Sequence, residues 1–244
     1  MVGGNEFEPM TSAMYTSKHL DLYLDSLNLK GLSQNYIFKI RQYLLPFVNT
    51  CEHLSPESAE THLSNSAHLK ANTRARYATY LKGFLNYLGI PFDMKVKVPK
   101  TLPPYVEGSE IALIVDWIKS KKSHKQSIER DLILLETAKK TGMRRSELAN
   151  LKVGDVNLDK SRIYVRGGKG DRDRVIPVHL DLVETLSTLI EGRTNGERVF
   201  FGLKPRSLGN KFRLWAKEAG VDLHTHSFRH YFATTLVERG ANIR

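Results

Sequence analysis

Between residues 90 and 108 the chain reads IPFDMKVKVPKTLPPYVEG, and this stretch alone holds four of the nine prolines of the 244-residue sequence. Proline has a fixed φ and no backbone N–H, so it can continue neither a helix interior nor an inner strand. Three lysines, Lys95, Lys97 and Lys100, occupy the same stretch without a clear hydrophobic period. It reads as an extended, basic linker, and it divides what the chain can fold into. The expected organisation is an N-terminal tail (1–15), a helical domain (16–92), the linker (93–108) and a second domain (109–244). The length is enough for each domain to bury its own core.

Before the linker the apolar spacing is helical throughout. Leu20, Leu24 and Leu27 form one stripe, and Tyr36, Ile37, Ile40, Tyr43, Leu44 and Phe47 form a second after the break at Lys30-Gly31. Ser55-Pro56 is a capping serine followed by proline at the first helical position, which starts a short helix. A fourth helix begins near Ala71, carries Tyr77, Tyr80, Leu81, Phe84, Leu85 and Leu88, and stops at Gly89. This predicts a small all-helical domain.

After the linker, helices are predicted over 109–121 and 128–141, with another starting near Arg145. The period then becomes strand-like. Ile163 and Val165 alternate, a glycine-rich reversal follows, and Val175, Ile176 and Val178 return, as in a β-hairpin. Helices follow over 180–190, from about 205 to 219, and from Ser227 or just before it, with a short apolar run at 199–201. The fold class expected is mainly α, with one small antiparallel sheet in the second domain.

Net charge is +11 and the pI is near 9.6, which points to a polyanionic partner. The charge is unevenly placed. Residues 1–93 hold eight basic and eight acidic side chains, so the whole excess lies beyond them. Within the neutral part, the segment from Lys70 to Lys82 has four basic residues and no acidic one, a polarity that fits either a helix facing phosphates or a solvated helix face. The single cysteine, Cys51, excludes an internal disulfide and a multi-cysteine zinc site. No apolar run approaches the length that crosses a bilayer, and the first residues lack the basic start and apolar stretch of a secretory signal. A cytoplasmic protein without a membrane partner is expected.

Cutting DNA without a metal needs cations that neutralise a phosphate whose charge grows in the transition state, and a proton donor for the leaving sugar oxygen. Arginine suits the first task, since its planar fork engages two phosphate oxygens and never loses its charge. Three segments supply such groups. In TGMRRSELANL (141–151) Arg144 sits at a corner between helices, with Glu147 one turn later. In GGKGDRDR, Lys169 stands at a hairpin tip. In HTHSFRH (224–230), His226 and Arg229 are three apart and share a helix face. Each segment alone could be surface charge. The histidines of the third lack an accompanying Glu or Cys at metal-ligand spacing, so no metal is expected.

Taken in order, TG-x-R-x-S-E-L, then G-K-G, then H-x-x-R-H resembles the tyrosine recombinase (integrase) family of the Xer and phage type, over roughly residues 16–244. The resemblance implies an N-terminal core-binding domain of SAM-like helices, a catalytic domain of the DNA breaking-rejoining fold, and a C-shaped clamp around duplex DNA. It implies catalytic roles for Arg144, Lys169, His226 and Arg229, with Glu147 supporting Arg144. Phosphate or groove contacts are implied for Lys70, Thr73, Arg74, Arg76 and Tyr77. No cofactor is implied. The partners implied are a double-stranded recombination site and other protomers, as a tetramer on paired sites. Phe228 stands where the family usually has leucine. The family's later elements, a further histidine or tryptophan and then the nucleophilic tyrosine, have no counterpart before Arg244; Tyr231 comes too early, and no nucleophile is assigned. Strand cleavage and rejoining through a 3′-phosphotyrosyl intermediate is therefore the expected family activity. A non-catalytic, site-specific DNA-binding form of an integrase is the alternative, and an unrelated basic helical nucleic-acid binder a weaker one.

Overall fold

A computed structural model describes residues 17–100, 105–122, 124–167 and 173–241. The chain forms two compact units, residues 1–101 and 102–244, each with its own apolar core.

The first unit consists of α1 (Ser17–Leu29), α2 (Gln34–Thr50), α3 (Pro56–Ser64) and α4 (Ala71–Tyr87). Its buried residues are those the helical spacing selects: Leu20, Leu24 and Leu27 from α1, Ile40, Leu44 and Phe47 from α2, and Leu81, Phe84 and Leu85 from α4. Ser55 caps α3 reciprocally with Ser58, and Pro56 follows at the first helical position. The stretch expected to lack periodicity has one. Phe92 is buried, Met94 and Val96 pack against this core, and the residues between them are exposed. Alternation of period two turns every second side chain inward even where prolines bar sheet formation. At the far end of the same stretch Val106 is buried in the second core.

The second unit runs α5 (Gly108–Ser120), α6 (Lys125–Thr141), α7 (Arg145–Asn150), β1 (Val156–Asn157), β2 (Arg162–Val165), β3 (Arg174–Pro177), α8 (Leu180–Ile190), α9 (Pro205–Glu218) and α10 (Thr225–Glu238). The expected hairpin is β2–β3, antiparallel with Ile163 opposite Ile176 and Val165 opposite Arg174. A third strand, β1, extends it in the order β1-β2-β3; at two residues it is too short to show alternation. Ile163, Val165 and Ile176 face the core. Phe212, Trp215 and Phe228 join α9 to α10, with ring centroids 5.0 Å and 5.1 Å from Phe212. Asp131 of α6 is fully buried and ion-paired with Lys121 (3.1 Å) and Lys211 (2.8 Å), which ties α6 to the end of α5 and to α9. Two cations compensate a carboxylate that would be costly to bury alone.

Candidate functional site

The site grows from the corner after α6. The helix ends on Gly142, whose φ of +56° lies in the left-handed region that favours glycine. A Cβ at this position would meet the Phe232 ring at 2.5 Å. Ending the helix here leaves the Gly142 carbonyl free to accept a hydrogen bond from Arg229 Nη1 at 2.8 Å. The helix terminus thereby orients an arginine contributed 87 residues later in the chain.

Arg144 opens α7 as its N-cap, and Glu147 closes the turn. One Glu147 oxygen accepts the Arg144 backbone N–H (2.6 Å), and the other accepts Arg144 Nη1 (2.9 Å). The same carboxylate receives both Nη atoms of Arg174, at 2.8 and 2.6 Å. This two-bond fork is the strongest ordinary carboxylate–guanidinium geometry. The Glu147 side chain is only 5% exposed. Burial works against its charged form, but the hydrogen bonds from Arg174 and from both the side chain and the backbone of Arg144 outweigh that and hold its carboxyl at about 2. Burial first, and then the charges of Arg144 and Arg174, push the Arg229 guanidinium below its usual range, with Glu147 acting in the opposite sense. Three guanidinium groups thus act on one another around a single carboxylate, leaving a positive excess suited to an anion.

His226 lies on α10 one turn before Arg229. Desolvation, followed by the charges of His224, Arg145, His230 and Arg229, lowers its pKa and so favours the uncharged ring. Its helix starts earlier than Ser227, at Thr225, because His224 serves as the N-cap and Ser227 Oγ accepts the His224 N–H at 3.1 Å. The neighbouring cation Arg145 goes elsewhere. It lies across Gly209 of α9, where a Cβ would stand 2.7 Å from its Nη1.

The structure thus brings Arg144, Glu147 and Arg229 together and places His226 beside Arg229. Lys169 lies within residues 168–172, outside the described residues, as does the expected tail over 1–15. On either side of them, the Gly167 N–H donates to Asp173 Oδ1 at 2.9 Å. Arg174 is the residue that sequence reasoning missed. It shares strand parity with the buried Ile176, so its side chain is directed to the face where a cation needs a partner. Beside these cations, a cavity of about 830 Å³ opens between the end of α6, β3 and α10; Arg174, Arg229 and Phe232 are among its lining residues.

In the first unit Thr73, Arg76 and Tyr77 line a single pocket with Tyr43, whose ring stacks on Tyr77 at 3.8 Å. Lys70 caps the start of α4 and is exposed, while Arg74 is half-buried; neither lines that pocket.

The phage integrase family model matches residues 105–244. The chain belongs to the phage integrase family. A curated relative, the tyrosine recombinase XerA of Pyrococcus furiosus, is 30% identical over 246 residues, covering 93% of this chain and 83% of that protein. Two solved integrase structures share the fold. The Tn1549 transposon integrase in complex with a circular intermediate DNA has a TM-score of 0.71 at 16% identity, covering 92% of this chain and 88% of that one. A lambda integrase dimer bound to a core site has a TM-score of 0.70 at 16% identity, covering 94% of this chain and 91% of that one. As in those integrases, the fold of this family member is mainly helical with a small antiparallel sheet.

Proposed function

We propose that this chain acts on duplex DNA as a site-specific tyrosine recombinase, with Arg144, Arg229 and His226 gathered around one scissile phosphate. The observation that carries this reading is the sharing of Glu147 between Arg144 and Arg174, with Arg229 anchored on the Gly142 carbonyl beside them. In such a site a tyrosine oxygen attacks phosphorus and the bond to the 5′ oxygen breaks, leaving a 3′-phosphotyrosyl link. The guanidinium groups stabilise the negative charge that accumulates on the non-bridging oxygens. Lys169 gives its proton to the departing 5′ oxygen, and neutral His226 can accept the tyrosine's proton. No tyrosine of residues 1–244 is assigned as the nucleophile, and no cofactor enters the scheme.

The partners in this reading are a double-stranded recombination site and further protomers on paired sites, with the reaction in the cytoplasm. No described helix is long and apolar enough to cross a membrane. Selection of bound sequences from a random duplex library tests the reading. A recurring motif is expected, bound with a steep dependence on salt because cations replace condensed counterions. Recovery of no motif, or affinity indifferent to salt, would contradict the reading.

A further inference from the structure

Gly209 lies in the interior of α9, where glycine is a poor helix former. Its φ is not in the left-handed region, so the backbone does not call for glycine there. What calls for it is space. The three heavy atoms nearest to a Cβ built at this position all belong to Arg145: Nη1 at 2.7 Å, Cδ at 2.9 Å and Cζ at 3.6 Å. Both the stem and the head of the arginine therefore lie in a notch that any other residue would fill.

Arg145 is exposed, and it has no hydrogen bond or ion pair among the described residues. Its guanidinium is thus oriented by the notch while its donors stay available. The motif TG-x-R-x-S-E-L leaves position 145 open, so this cation is additional to the pair formed by Arg144 and Arg229. The surrounding surface carries one sign of charge. No acidic residue lies between Glu197 and Glu218. Arg206 and Arg213, three residues before Gly209 and four after it, share its side of α9; both are exposed. They stand about 10 Å apart along the helix axis, with the held guanidinium between them.

We infer that Arg145 is a specificity-determining residue, its planar fork donating to O6 and N7 of one guanine in the major groove close to the cleaved phosphodiester. The inference rests on the recombinase reading above and deepens it. A phosphate contact needs charge but little orientation, whereas a bidentate contact to a base edge needs a fork fixed in direction, which the notch supplies. Fixing the side chain before binding also removes part of the entropy cost of ordering it on the DNA. The guanine lies near the cleaved position because Arg145 is the chain neighbour of Arg144.

The test begins with the motif that the unaltered chain selects from random duplexes, and measures binding by fluorescence anisotropy. Each guanine of the motif is replaced in turn by 7-deazaguanine, which keeps base pairing but removes the N7 acceptor. One position should weaken the unaltered chain about tenfold, the loss of one hydrogen bond to a charged group. Arg145→Gln and Gly209→Ala should each be indifferent to the substitution at that position and select motifs relaxed there alone. Gly209→Ala keeps every charge, so its salt slope should match that of the unaltered chain, and its melting temperature should not fall because alanine favours the helix. If Arg145→Gln weakened every sequence equally, with a salt slope shallower by about 0.9, Arg145 would be a phosphate contact and the inference would be overturned. Retention of the full preference by Gly209→Ala would overturn it as well, and both results would leave the recombinase reading intact. Failure of the unaltered chain to select any motif would overturn both.

Discussion

The two units spend their interiors differently. Among the described residues, the first buries one polar side chain, Ser66, whereas the second buries Asp131, Thr137, Thr141, Glu147, Thr225 and Ser227. The first is held by apolar and aromatic stripes, and none of its described cations is fully buried. The second commits charged groups to its core, where each must be compensated. A unit of the first kind presents a surface; a unit of the second kind can hold cations rigidly against a carboxylate and aim them at a third charge. The charge distribution follows the same division, with residues 1–93 neutral and the whole excess of +11 beyond them.

The largest effect should come from the shared carboxylate. Glu147→Gln leaves Arg144 and Arg174 facing each other without their partner, and should cost about 3 kcal/mol of stability in denaturant melts. The sign with pH follows from the depressed pKa. The carboxyl sits at about 2 in the folded chain against an ordinary 4.5, so its stabilisation is complete above about 4.5 and is lost as pH falls toward 2. Glu147→Gln should flatten the stability profile in that window, and a profile of unchanged shape would show that the network is not what holds the corner.

A smaller effect separates backbone strain from packing. Gly89 in the first unit and Gly142 in the second both have positive φ, +78° and +56°, but only Gly142 has side-chain atoms within reach of an added Cβ. Gly89→Ala should therefore cost about 1 kcal/mol, the left-handed penalty alone. Gly142→Ala adds the clash with Phe232 and should cost about 2–3 kcal/mol. It should also weaken duplex binding, since the carbonyl that orients Arg229 must shift. Equal costs at the two positions would erase the packing half of the contrast.

The same difference explains what was legible in the sequence. Helices α1, α2 and α4 could be read because nothing polar interrupts their stripes, and Leu20, Leu44 and Leu81 are buried where the period puts them. The alternation of Phe92, Met94 and Val96 was hidden by the surrounding prolines and lysines. In the second unit, α10 starts two residues before Ser227 because a histidine takes the capping place usually held by serine or aspartate. Arg144, Glu147 and Arg229 stood out by motif. Arg174 did not, because a cation beside a basic turn resembles its neighbours until strand parity is counted back from Ile176.

The central claim is that Arg229 and its neighbours hold one particular phosphate. A double-mutant cycle measures this directly. Each phosphate of a selected duplex is replaced in turn by an uncharged methylphosphonate, and binding is compared for the unaltered chain and for Arg229→Ala. The account predicts one position at which neutralisation weakens the unaltered chain by about tenfold yet has little further effect on Arg229→Ala, a coupling of about 1.4 kcal/mol. Strictly additive losses at every phosphate would mean that Arg229 contributes diffuse charge and that the arginine cluster is not the site of strand cleavage.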